Sequence, residues 1–243
     1  MAVYACSDLH GYYNIYEKIQ AMLKPKDKVY FLGDAGDRGP ESLRTIKAIL
    51  TNPQWIYLKG NHEDMLVNAM RKHANSDALW LAIYNGGKQT LADLKEDPDK
   101  TIIINQLADL PCYAFYHSDA LDIDYHMCHA GFTPKNNSLN VYEFLDKHDL
   151  IWDRRHIELD EDPGYIYYVP ENYFNAIILH GHTPIDCMTD YYAVEGKWLG
   201  EPMHSPYQYS QKKKVNIDAG TYRSNEAFLF NLDTFTFDVI KGE

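Results

Sequence analysis

The chain has 243 residues, 45% hydrophobic and 24% charged, the balance of a soluble globular protein long enough for a sizeable core. A formal net charge of -12 argues against holding nucleic acid through a broad basic surface. The four cysteines form no CxxC pair, no signal-peptide pattern opens the chain, and no apolar run approaches the roughly 18 residues of a membrane span, so a reducing cytoplasm is expected.

At the start of the chain one pattern recurs three times: a short β-rich run, a loop with Gly and Asp or Asn, then a helical period. Val3–Cys6 predicts a strand, followed by the loop Ser7–Gly11 and a helix near Ile15–Leu23. Lys28–Leu32 predicts the second strand, ahead of the loop Gly33–Pro40 and a helix near Glu41–Leu50. Trp55–Leu58 predicts the third, then Gly60–His62 and a helix near Glu63–Arg71. Such alternation indicates βαβ units and a parallel sheet, in which ligands bind at the carboxyl ends of the strands. Farther along, Ala78–Tyr84 and Lys88–Leu94 read as short helices separated by Gly86 and Gly87, with Glu96–Lys100 a polar connection. From Cys112 the pattern turns to strands: Cys112–Tyr116, Leu121–Cys128, Ile177–Leu179 and Val215–Asp218. Ala227–Leu232 and Phe235–Ile240 predict a strand hairpin turning near Asp233. No internal repeat is present.

All three polar loops fall at strand ends. Asp8 and His10 are separated by one residue, so a carboxylate and an imidazole face one point. Alone, the pair reads more readily as a capping Asp beside an unrelated His. Its recurrence, as Asp34 after the second strand and Asn61 with His62 after the third, favours a metal site. Carboxylate, carboxamide oxygen and imidazole together suit divalent ions. His129 and His182 close later strands. Each alone reads as a structural histidine; together they supply what a second ion would need.

SDLHG (7–11), GDAGDRGP (33–40), KGNHE (59–63), CHAG (128–131), WDRR (152–155), HGHTP (180–184) and NIDAG (216–220) occur in the order seen in the phosphoprotein phosphatase branch of the metallophosphoesterases. The chain resembles that family from about Ala2 to about Thr221, nearest to bacterial and phage serine/threonine phosphatases and symmetrical diadenosine tetraphosphatases. The resemblance implies a single α/β domain over 1–243, a four-layer sandwich of two mixed central sheets flanked by helices, with a Tyr-rich insertion at about 190–214. It implies one metal held by Asp8, His10 and Asp34, and a second held by Asp34, Asn61, His129 and His182, with Asp34 bridging. Oxygen and imidazole ligands accommodate manganese, iron or zinc; resemblance favours manganese. Two such ions lie roughly 3.5–4 Å apart and acidify a shared water, and that hydroxide attacks phosphorus in line.

By the same resemblance Asp37 orients His62, which protonates the departing oxygen; the alternative for Asp37 is a salt bridge to Arg38 or a loop cap. Arg38 and Arg154 are implied phosphate clamps, since a guanidinium offers paired donors, although the adjacent Arg155 could fill the second role. The family usually has Arg before GNHE. This chain has Lys59, a substrate-binding point charge rather than a fork.

Glu63 is expected to open the helix after the third loop. His180 either supports the second metal's surroundings or is a hydrogen-bonded core histidine, and Asp218 either lies behind the site or simply ends a strand. The Tyr-rich segments Tyr165–Tyr173 and Asp190–Lys214 could wall a substrate groove, stack on a nucleoside, form a dimer contact or make a surface flap. The expected function is metal-dependent hydrolysis of phosphoserine or phosphothreonine monoesters in proteins or peptides, with no nucleic-acid or membrane partner. The alternative is a symmetrical dinucleoside polyphosphate hydrolase acting on a small phosphorylated substrate. A phosphodiesterase is less favoured, and a non-catalytic phospho-binding scaffold should have lost ligands that are all present here.

Overall fold

The three opening units fold as their periodicity predicts. In a computed structural model, which describes residues 1–71, 76–132, 147–154, 176–187, 205–209 and 213–243, β1 (Val3–Cys6), β2 (Lys28–Phe31) and β3 (Trp55–Tyr57) alternate with α1 (Tyr13–Met22), α2 (Ser42–Thr51) and α3 (Asn61–Met70). The third helix begins two residues earlier than predicted. Gly60 is extended, and the Glu63 carboxylate reaches back to accept its N–H at 2.8 Å, so Asn61 and His62 fall within the first turn. Next come α4 (Ser76–Trp80) and α5 (Gly87–Glu96). The first of these ends at Trp80, sooner than expected, and the chain turns through residues 81–85 to Gly86, which takes a left-handed φ of 74° at the start of α5.

The helix α6 (Lys100–Ala108) was not predicted: its run of isoleucines is β-branched, yet Ile103 and Leu107 are buried against the other helices. After β4 (Tyr113–Ser118) and β5 (Ile123–Cys128) come α7 (Lys147–Trp152), too short for a legible period, and β6 (Ala176–His180). The chain closes with β7 (Tyr207–Tyr209), β8 (Lys214–Asn216), the single turn α8 (Thr221–Ser224) and the hairpin β9 (Glu226–Asn231) and β10 (Thr236–Lys241). Arg155, Tyr165–Tyr173 and most of the predicted Tyr-rich insertion lie outside the described residues.

Two five-stranded mixed sheets result, in the orders β10-β9-β1-β2-β3 and β4-β5-β6-β8-β7. Strand alternation sorts the core. Val3, Ala5 and Leu32 of the first sheet face Tyr125, Met127, Leu179 and Val215 of the second, whereas Val29 and Phe31 face Ile15, Ile46 and Leu66 of the helices. On the second sheet's outer side, Leu150 and Ile151 of α7 cover Cys128 and Ile178. The layers are therefore helices, sheet, sheet and helix. β1, β2 and β3 run parallel, as do β5, β6 and β8. The carboxyl ends of both parallel sets open on the same edge of the sandwich, where Gly181 N–H meets the His129 carbonyl and His182 N–H meets Asp8. Among the described residues no helix is long and apolar enough to cross a membrane.

Candidate active site

The backbone is most strained where the sequence motifs lie. Left-handed φ values occur at Asp8 (55°), His10 (44°), Asp34 (61°), Asp37 (66°), Arg38 (67°) and His182 (69°), a conformation that residues with a Cβ seldom adopt. Each such residue costs about 1–3 kcal/mol unless its surroundings hold it. Here they do: Asp8, His10 and Gly11 donate their N–H groups to the carbonyls of Gly33, Asp34 and Ala35, and the first two loops interlock. Glu63 fastens the third. Its buried carboxylate accepts from the Asp34, Ala35 and Gly60 N–H groups and from the Tyr57 hydroxyl, all at 2.7–2.9 Å. That bracing role exceeds the helix-opening one expected from sequence.

Side chains from five strand ends then converge. Donor atoms of His10, Asp34 and His62 lie within 4.8 Å of one another, as do those of Asp34, His129 and His182, so Asp34 belongs to both groups. Asp8 Oδ1 and Asp34 Oδ2 each lie 3.9 Å from His10 Nε2. Asn61 Oδ1 is 2.9 Å from His129 Nε2 and 2.8 Å from His182 Nδ1. The proton count explains why these groups suit cations. The Leu32 carbonyl takes the proton of His129 Nδ1, and the Gly36 carbonyl takes that of His10 Nδ1. In its neutral form each ring then turns a lone pair toward carboxylate and carboxamide oxygens, acceptor facing acceptor, which a cation would reconcile. Asp8 Oδ1 and His182 Nε2 are buried with no hydrogen-bond partner, an arrangement that a bound cation relieves. No sulfur is among the donors, which suits the expected manganese, iron or zinc.

Without a cation the field is severe. Burial and then the Asp218 charge push the Asp8 carboxyl well above its usual range. At Asp34 burial acts the same way, but the imidazoles of His129, His62 and His10 outweigh it and hold the carboxyl well below. Burial opposes a charge on His129, yet Asp34 draws its proton affinity up to about 9. Asp218, pushed up to about 6 chiefly by burial, accepts the Gly220 N–H at 2.8 Å. His180 is buried and held neutral, down to about 3, by that burial; it fits the core-histidine reading.

His62 Nδ1 lies 2.7 Å from Asp37 Oδ2, leaving Nε2 buried, without a partner, 3.8 Å from Asp34 Oδ2. Arg38 is close to His10 Nε2, at 2.5 Å, and its guanidinium lies over the Tyr222 ring, 4.5 Å from the centroid. No motif announced Tyr222. Arg154 follows α7, is exposed, and its charge helps keep His182 neutral, after burial and His129. Lys59 has a partner outside the site. Its ammonium donates to the Ala108 carbonyl at 2.6 Å, at the carboxyl end of α6, where unpaired carbonyls attract a cation.

The comparisons with known proteins agree with this architecture. The family model of the calcineurin-like phosphoesterases matches residues 1–217. The chain belongs to that family. Within the calcineurin-like phosphoesterases, it is 30% identical over 145 residues to the symmetrical bis(5'-nucleosyl)-tetraphosphatase of Cellvibrio japonicus (strain Ueda107), covering 55% of this chain and 46% of that protein. It is 29% identical over 155 residues to serine/threonine-protein phosphatase 2 of Escherichia coli (strain K12), covering 62% and 66%. The chain thus spans about half the length of the first of these curated relatives. In fold, the solved structure of a protein provisionally described as a diadenosine tetraphosphatase matches the whole chain and 94% of its own, at TM-score 0.67 and 15% identity. The expected family and the expected two-sheet α/β fold both hold.

Proposed function

We propose that this phosphoesterase hydrolyses phosphoserine and phosphothreonine monoesters at a two-cation centre, with His62 as general acid. Bound there, the two divalent ions would supply Lewis-acid polarisation of the phosphoryl oxygens and an acidified water. Asp8, His10 and Asp34 would hold one, and Asp34, Asn61, His129 and His182 the other. Arg38, beside His10, and Arg154, whose charge is felt at His182, would orient the phosphoryl group. Lys59, committed to Ala108, is left out of the phosphate contacts.

The observation that carries the reading is the Asp37–His62 hydrogen bond. It would keep one proton on Nδ1, so that the imidazolium can deliver its second proton, on Nε2, to the departing oxygen and be left as the neutral Nδ1–H ring. A serine or threonine alkoxide leaves poorly, and such a donor is worth about 10²–10⁴-fold. Since Asp8, His10 and Asp34 suffice for the first ion, His62 is assigned the proton rather than the metal. A second reading, symmetrical cleavage of dinucleoside polyphosphates, draws support from the tetraphosphatase relatives. Turnover of a phosphothreonine peptide, diadenosine tetraphosphate and a synthetic phosphodiester should be compared with manganese present. The peptide is expected to be turned over fastest; a wide lead for diadenosine tetraphosphate would replace the first reading with the second.

A further inference from the structure

Asp37 is held from a direction that the site's own motifs do not supply. Its carboxylate, 1% exposed, accepts three side-chain donors. His62 Nδ1 and the Trp80 indole Nε1–H both reach Oδ2 at 2.7 Å, and the Thr90 hydroxyl reaches Oδ1 at 2.5 Å. Trp80 ends α4 and Thr90 lies in α5; both are wholly buried. The link between these helices is shaped to deliver them. A Cβ on Gly87 would meet Trp80 Nε1 at 2.5 Å, so only glycine lets the indole come this close. Gly86, at φ 74°, lies against the Arg38 backbone, where a Cβ would meet Arg38 N at 2.5 Å. Asn85 steadies the turn by donating to the Leu79 carbonyl at 2.8 Å, and the Tyr84 carbonyl accepts from Arg38 Nε at 3.4 Å.

We infer that Trp80 and Thr90, presented by the α4–Asn85–Gly86–Gly87–α5 segment, are positioning residues for the general acid, clamping the Asp37 carboxylate so that His62 Nε2 points at the leaving oxygen. This rests on the proposed role of His62. The physical case is one of degrees of freedom. Asp37 and Arg38 sit in a strained left-handed loop, and a carboxylate held only by His62 could turn about its Cβ–Cγ bond. A donor on each oxygen fixes its plane, and with it the imidazole plane. Misplacement of a reacting group by about 1 Å can cost about 100-fold. As the P–O bond breaks, the proton on Nε2 passes to the leaving oxygen and the imidazole is left neutral. The clamp therefore matters in proportion to how much the leaving group needs that proton.

Leaving-group dependence tests this, since a purely structural role would not move it. Thr90→Val, nearly isosteric, and Trp80→Phe should be assayed on aryl phosphates of rising leaving-group basicity, with His62→Asn, Thr90→Ser and the wild type alongside. The ratio of kcat for p-nitrophenyl phosphate to kcat for phenyl phosphate should rise about 10-fold or more in both clamp variants. KM and bound metal should stay level, and Thr90→Ser should restore the ratio. Equal losses on both substrates, or a wild-type ratio in Thr90→Val, would overturn the clamp. If His62→Asn itself leaves the ratio unchanged, the general-acid assignment fails instead; if His62→Asn raises it and Thr90→Val does not, only the clamp fails.

Discussion

Asp34 carries more of the site than any other side chain. Oδ1 accepts the His62 N–H at 3.0 Å, while Oδ2 faces His129 at 3.3 Å, His62 at 3.8 Å and His10 at 3.9 Å. One carboxylate thus serves both donor groups, and Gly60 lacks a Cβ where one would collide with it. Asparagine at this position keeps the Oδ1 contact but places an N–H donor or a neutral oxygen where the bridging charge was. Partners one shell farther out typically cost 10–100-fold when removed, so Asp34→Asn should cost more than about 100-fold in activity. Metal analysis should find fewer than two ions per chain. Full activity with undiminished metal would remove the bridging role. At this scale the sequence was very legible, because chemistry that needs a strand-end carboxylate or imidazole leaves it beside the glycines that admit it. The partner of Lys59 was not legible for a physical reason: the Ala108 carbonyl belongs to a helix hidden in an isoleucine run.

At the scale of elements, the start of the first sheet depends on one carboxylate outside the site. Asp27, 3% exposed, accepts the Ala2 N–H at 2.8 Å and the Lys24 N–H at 3.0 Å, while Lys28 N–H returns to the Ala2 carbonyl at 3.1 Å. It therefore closes the turn into β2 and pins the start of β1. Those hydrogen bonds, followed by the nearby amino terminus, hold its carboxyl below the ordinary range. A lowered pKa contributes stability that is present above the unfolded value, about 4, and is lost as pH falls through the folded one. Asp27→Ala should destabilise by about 1–2 kcal/mol at pH 7, and the gap to wild type should narrow below about pH 4. Urea melts at several pH values measure both; a gap independent of pH would refute the electrostatic part. The elements themselves were legible where a period repeats, as in α2, whose Leu43, Ile46 and Ile49 are buried. They were not legible in α7 and α8, which are too short for a period and owe their place to packing, nor in the bounds of α4 or in the early start of α3, which Glu63 imposes from three residues away.

For the whole molecule, the candidate centre is also a fastening between layers. Asp8, Asp34 and Asn61 follow strands of the first sheet, while His129 and His182 follow β5 and β6 of the second. Directly between these groups, His182 N–H donates to the Asp8 carboxylate at 3.1 Å, and the other close approaches are imidazole nitrogens facing oxygens. Motif order alone could not reveal this fastening, since it follows from the two sheets presenting their carboxyl ends on one edge. A cation held by Asp34, Asn61, His129 and His182 would span that edge, and either cation would bind the folded state and not the unfolded chain, so each would add about 2.7 kcal/mol when present at 100 times its Kd. For a chain of this size 1 kcal/mol moves Tm by roughly 2–4 °C. Chelation should therefore lower the melting temperature by roughly 5–10 °C per ion, and returning manganese should restore it. Asp34→Asn should show little of that difference, because the ligand common to both groups is gone. Calorimetry with and without chelator decides the matter: coincident melts for the wild type would mean that the sheets are held by their apolar interface alone, with Leu32, Met127 and Leu179 at its centre.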